Sequence, residues 1–201
     1  MKQCESKLKL LRTAHELISR QSYGSVGVDQ ICEQSGVKKG SFYHFFRSKS
    51  ELTVAAYEFY WEGLQQTLDQ IFAPEKSPLG RLEDYFEHIR HSQIDRLEKY
   101  GRLLGCPFAS LGSELCTQDE SIRLMAHKIS EGKRRYLEST LQDAVSRGDI
   151  QATDPLGLAG ELNSYLLGLV QEAKIANDIR VLDRLKPGAY RLLGLHSAAA
   201  V

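Results

Sequence analysis

The chain has 201 residues, 42% of them apolar and 26% charged, enough to bury a real core without covalent staples. Basic and acidic residues balance at 26 each, yet residues 1–50 hold nine Lys or Arg against four acids (+5) and the remainder holds 17 against 22 (−5), so one end suits a polyanion and the rest does not. Four cysteines, at 4, 32, 106 and 116, show neither CxxC spacing nor histidines at zinc-finger distance, which argues against a disulfide framework or structural metal, and no apolar run approaches a membrane span or a cleaved leader, so a soluble cytoplasmic protein is expected.

Helical periodicity dominates and no window sustains period-two alternation, which predicts an all-α protein. A first helix is expected from about Ser6 to Gln21, with Leu8, Leu11, Ala14, Leu17 and Ile18 on one face, ending at the turn SYGSVG. A short helix over Val28–Ser35 follows, stopped by Gly36 as a left-handed cap. A third, from about Lys38 to Phe46, is separated from it only by SGV, the spacing of a helix-turn-helix. Ser48 and Glu51 have capping-box spacing for a long fourth helix reaching about Phe72. After the Pro-rich joint APEKSPLG, helices are expected over Leu79–Tyr100, just after GCPF, and over Glu120–Arg147. Pro155 then opens a helix whose apolar positions Leu158, Leu162, Leu166, Leu169 and Ala173 keep the 3.6 period. Gly160, Ser164 and Gly168 recur along it every fourth position, a stripe that admits a neighbouring backbone. A last helix, about Val181 to Leu195, is interrupted or restarted near Pro187. The tail SAAAV is expected to fray.

The stretch GVKKGSFYHFFRSK combines rings and cations more densely than either a core helix or a solvated helix does. If the third helix enters a major groove, its first turn must be small and cationic while its other face anchors it. Lys38, Lys39, Gly40 and Ser41 meet the first need, Phe42 and Phe45 or Phe46 the second, and Tyr43 and His44 are expected to face the nucleic acid. Lys49, near the start of the next helix, is expected at a phosphate.

The segment GVDQICEQSGVKKGSFYHFFRSKSEL, preceded by LLRTAHELISRQSYGSVG, resembles the DNA-binding half of the TetR/AcrR family of bacterial transcriptional repressors. The resemblance implies a homodimer that binds a palindromic operator on double-stranded DNA and is released when a small ligand enters the larger helical domain. Carried over by position, Lys38, Lys39, Gly40, Ser41, Tyr43 and His44 match the recognition helix and Lys49 the phosphate contact, with Val28 at the start of the second helix as a further candidate. Gly27 stands where family members usually carry Ser or Thr, so one side-chain cap and operator contact is missing. The implied division is a DNA-binding domain over 1–50 and an effector-binding and dimerisation domain over 51–201.

In the second half, Cys106 precedes Pro107, a natural first helical residue, so the thiol is expected at an N-cap where an anion is favoured. Together with Lys174 in QEAKI, Gly105-Cys106 resembles the subgroup containing the N-ethylmaleimide-responsive repressor, in which a cysteine and a lysine at matching places carry electrophile and oxidant sensing. The other reading of Cys106 is a small residue packed in the core, and Cys32 is expected in the core of the second helix. Tyr85, Phe108 and Tyr165 are candidates to line an effector pocket, or equally to pack between helices. His88 and His91 beside Asp84 and Glu87 read as a solvated face, and no metal or other cofactor is expected. The last two helices are the candidate homodimer interface, as a four-helix bundle. Operator release is expected to follow a change in the spacing of the two reading heads, with the 72–79 joint rocking. An enzyme using Cys106 as nucleophile lacks a nucleophile elbow, HExxH or phosphate loop, and an adaptor without DNA binding leaves Lys38 and Lys39 unexplained.

Overall fold

A computed structural model describes residues 2–195, and the tail over 197–201 lies outside them. The described residues are helical, without a strand. In chain order they form α1 (Lys2–Arg20), α2 (Val28–Ser35), α3 (Lys39–Phe45), α4 (Lys49–Ile71), α5 (Pro78–Tyr100), α6 (Pro107–Leu115), α7 (Glu120–Arg147), α8 (Pro155–Ala176), a 3-10 segment (Ile179–Arg184) and α9 (Leu185–Leu192). The chain forms two compact units, one from the residues up to Gln66 with Pro107–Ser130, the other from Thr67–Cys106 with Glu131 onward. The long helices α4 and α7 therefore each contribute to both.

The helix ends follow their local chemistry. Gly36 takes φ 67° and its N–H reaches the carbonyls of Cys32 and Glu33, which stops α2. At the start of α4 the Ser48 hydroxyl accepts from the Glu51 amide at 3.1 Å, but the Glu51 carboxylate accepts from Arg47, one residue earlier than a capping box requires. Ser77 and Asp154 cap α5 and α8, each with a proline in the first turn. The last helix is a 3-10 segment followed by α9, and Pro187 sits in the first turn of α9, where its missing N–H has no intrahelical use.

In the first unit α1 packs on α2, α3 and α6. Its core combines Leu10, Ala14 and Leu17 with Ile31, Phe42, Leu52 and Tyr57, all essentially buried. Phe108 of α6 lies 5.9–6.1 Å from the rings of Tyr57, Tyr60 and Trp61, and His15 of α1 stacks on Tyr60 at 3.8 Å. Burial of rings of this size contributes on the order of 2 kcal/mol each.

In the second unit α8 packs on the 3-10 segment and α9. Ala159, Leu162, Leu166, Leu169, Val170 and Ala173 are its buried face. The 72–79 joint, expected from the sequence to rock, is bridged: buried Arg81 donates to the carbonyls of Ala73 and Pro74 at 3.1 and 2.9 Å and pairs with Asp143 at 2.6 Å. A guanidinium with its donors committed to two backbone carbonyls and a carboxylate opposes flexing there. Among the described residues no helix is long and apolar enough to cross a membrane.

Candidate nucleic-acid interface

Helix α3 is seven residues long and divides by face as its composition demands. Phe42 is fully buried, and Phe46, directly after the helix, is 3% exposed. Lys38, Lys39, Gly40, Ser41, Tyr43 and His44 are all exposed, Tyr43 at 54%. The Tyr43 ring meets Phe42 edge-on at 5.0 Å, which braces its base while leaving its hydroxyl outside. Val28 opens α2 half-buried, and Gly27 before it gives no side-chain cap. Lys39 makes an ion pair of 2.6 Å with Asp29 in the first turn of α2, and this carboxylate raises the lysine's pKa.

Lys49 is placed differently from the expectation. Its ammonium donates to the carbonyls of Tyr23 and Val26, both at 2.9 Å, and lies 3.8 Å over the Tyr23 ring. Burial lowers its pKa, with the Glu114 carboxylate opposing that shift. Two of its three protons thus close the α1–α2 turn, so in this structure it is a strut. Glu114 of α6 accepts from the amides of Tyr23 and Gly24 at 3.0 and 2.8 Å, holding the same turn from its other side. Ser50 donates to Asp119 at 2.5 Å; that bond, followed by backbone N–H groups, holds the carboxyl below its ordinary range against the opposing effect of burial.

The second unit holds Cys106, Lys174, Tyr85 and Tyr165. Cys106 is half-buried immediately before α6, and the Lys133 ammonium of α7 lies 3.4 Å from its sulfur. Lys174 is also close by, but it is the stem that faces the segment: a Cβ placed on Gly105 would lie 2.9 Å from Lys174 Cδ. Gly105, at φ 71°, exchanges two hydrogen bonds with the buried Gln93 side chain, at 3.1 and 3.3 Å, and its carbonyl accepts from Arg96 at 2.7 Å. The Leu103 amide donates to Asn177 at 2.9 Å. A backbone clamped this way, with positive φ and no room for a Cβ, requires glycine at 105. Tyr85 is near enough for burial, and secondarily Cys106, to push its hydroxyl's pKa up. Burial, then Arg96 and Lys133, lower the pKa of His88.

The remaining candidates are not gathered at the thiol. Phe108 belongs to the aromatic cluster of the first unit. Tyr165 joins α8 to the last helix, donating to the Arg184 carbonyl at 2.8 Å and lying where a Cβ on Gly188 would be. Cys32 is buried, and burial followed by Asp29 raises its thiol's pKa. Among the described residues no three His, Cys, Asp or Glu side chains are grouped to hold a metal ion.

Residues 10–56 match the family model described as bacterial regulatory proteins, tetR family, and residues 78–188 match the tetracyclin repressor-like C-terminal domain. The chain belongs to the TetR family. The transcriptional regulator AcuR of Cereibacter sphaeroides is 31% identical to it over 168 residues, 83% of this chain and 75% of that protein. The HTH-type transcriptional repressor NemR of Escherichia coli K12 is 26% identical over 89% of each chain. Of solved structures, a regulatory protein TetR from Rhodobacter sphaeroides superposes with a TM-score of 0.82 at 28% identity, covering 92% of this chain and 97% of that one. The reduced form of E. coli NemR superposes with a TM-score of 0.81 at 24% identity, covering 98% and 99%; that likeness concerns the fold. This TetR-family protein is thus a DNA-binding transcriptional regulator, and its relatives are regulators rather than enzymes.

Three residues of the regulator escaped the sequence reading. Asp29 was visible as the lone acid between Glu16 and Glu33. Glu114 and Lys133 carried no such signal, because their partners are backbone amides 90 residues away and a sulfur 27 residues away.

Proposed function

We propose that the regulator is a cytoplasmic dimeric repressor that reads a palindromic operator through two copies of α3 and lets go when its second half meets a small molecule or when Cys106 is modified. The observation that carries this reading is the division of α3, with Phe42 wholly buried and Lys38, Lys39, Ser41, Tyr43 and His44 exposed. A short helix with a cationic N-terminal turn and an apolar back suits the major groove, with half-sites about 34–36 Å apart in a dimer. In functional terms residues 1–50 carry the DNA contacts and 51–201 the effector response and the dimer contact. Lys38 and Tyr43 supply phosphate contacts, Lys39 and Ser41 approach base edges across Gly40, and Val28 and His44 flank them. Lys49 acts by fixing the α1–α2 turn.

Pairing through α8 and α9 is supported by the outer stripe of α8. Leu156, Leu167 and Ile175 are exposed, and there is open space beside Gly160 and Gly168. A second copy of the stripe would cover apolar surface that a lone chain leaves in water.

The effector reading centres on Cys106. Its sulfur lies 3.4 Å from the Lys133 ammonium, and a thiolate is the form that attacks electrophiles. Lys174 and Tyr85 complete its surroundings. The pairing of cysteine and lysine supports a regulator whose effector is a thiol-reactive compound, with Phe108 and Tyr165 acting through packing. Cys106 adjoins the first residue of α6, and α6 grips the Tyr23–Gly24 turn through Glu114, so displacement of α6 is the proposed route to the reading head.

The test is a gel-shift series at stated salt, using a duplex selected from a random pool and a random-sequence duplex. Preference for the selected duplex, steep loss with salt, and release by N-ethylmaleimide that is absent in Cys106→Ser are expected. Equal affinity for both duplexes refutes operator reading, and release that survives Cys106→Ser refutes the thiol.

A further inference from the structure

Asp29 is an acid in the middle of the most basic part of the chain. It stands in the first turn of α2, and its carboxylate lies 2.6 Å from the ammonium of Lys39, the first residue of α3. Both side chains are open to solvent, Lys39 at 54% and Asp29 at 78%. A pair so exposed contributes little to folding. Its position gives it another consequence, because the N-terminal residues of a recognition helix are those that meet base edges. Wherever the Lys39 head goes on a duplex, a negative charge one hydrogen bond away must go with it or be left behind.

We propose that Asp29 is a specificity-determining residue of this regulator, holding Lys39 back from arbitrary phosphates and aiming it at a base edge. The proposal rests on α3 being the reading helix. On random DNA, Lys39 gains a phosphate only by abandoning Asp29, whose carboxylate then stands in the negative field of the backbone. At the operator the ammonium keeps the carboxylate with one proton and offers the other two to a guanine, whose O6 and N7 both accept in the major groove. The pair therefore penalises sequence-independent contacts and leaves the base contact intact. Phosphate contacts carry affinity without information, so a device that weakens only those raises the ratio between correct and incorrect sites. Gly27, which gives α2 no side-chain cap, leaves the Asp29 carboxylate as the acidic group of that first turn.

The test compares the full-length protein with Asp29→Asn, Asp29→Glu and Lys39→Ala on a duplex selected from a random pool and on a random-sequence duplex, over a series of salt concentrations. For Asp29→Asn, binding to the random duplex should strengthen about tenfold and its log–log salt slope steepen by about 0.9, one extra phosphate's worth of counterions. Binding to the selected duplex should change by less than about threefold, so the specificity ratio falls. Asp29→Glu, which keeps the charge, should retain most of the ratio and shows that the asparagine result is not a folding defect. In a Lys39→Ala background the Asp29→Asn gain on random DNA should vanish. An unchanged ratio in Asp29→Asn overturns the proposal, as does an equal gain with and without Lys39, which would make Asp29 a bulk charge only. Absence of any sequence preference in the unaltered protein would instead sink the assignment of α3.

Discussion

The turn that opens α3 and the strap over Gly101–Cys106 both place lysines beside glycine, and they use them in opposite ways. At α3 the cations stand outside, one neutralised by an exposed carboxylate, while a fully buried phenyl ring lies behind. At the strap the backbone is clamped by Gln93, Arg96 and Asn177, and the lysines turn inward, Lys174 laying its stem on Gly105 and Lys133 its ammonium on a sulfur. In the first arrangement the Lys39 head stays in solvent beside a carboxylate, and in the second the stem of Lys174 and the head of Lys133 pack on a clamped, polar segment.

The sharpest way to break the first arrangement is to remove its anchor. Phe42→Ala empties a fully buried site and should lower folding stability by about 3–5 kcal/mol, measured by urea denaturation, with operator binding lost at temperatures where the first unit melts. The strap is attacked through Gln93. Gln93→Leu leaves the buried Gly105 amide without its acceptor, a loss of about 1–3 kcal/mol, and should speed labelling of Cys106 by N-ethylmaleimide, read by mass spectrometry.

That contrast also marks what a sequence can carry. The two faces of α3 were legible because cations and rings crowd within a few positions, and helical periodicity assigns each to the exposed or the buried side. Gly36 and the proline-led helices were legible for the same local reason. Lys49 was not, since its partners are the carbonyls of Tyr23 and Val26, which no side-chain identity announces. Nor were the bonds across the 72–79 joint, which depend on Arg81 meeting Asp143 across 62 positions. The sequence placed a lysine near Cys106, but not which atom of which lysine: Lys133 arrives from a separate helix.

A smaller effect separates a charge proposed to meet DNA from one that serves the turn. Lys38→Ala should weaken binding to all duplexes alike and reduce the salt slope by about 0.9. Lys49→Met should leave that slope nearly unchanged and lower the melting temperature instead; a slope change equal to that of Lys38→Ala would restore Lys49 to the phosphate backbone.

The smallest expected effect is one of pH. The Asp119 carboxyl is held below its ordinary range first by Ser50, so its contribution is present above the usual carboxylate pKa of 3.8 and is lost as pH falls through the lower folded value. Ser50→Ala should therefore be less stable than the parent at neutral pH and approach it below that range, as followed by denaturation at a series of pH values.

The α1–α2 turn has both halves of its peptide groups spoken for. Glu114 takes the amide hydrogens of Tyr23 and Gly24, and Lys49 supplies protons to the oxygens of Tyr23 and Val26. A turn pinned on both polarities behaves as a knuckle fused to its neighbours, so whatever moves α6 carries the end of α1 and the start of α4 along. Helix α6 is nine residues long and begins one peptide bond after Cys106, and the proposed relay from the thiol would run along it.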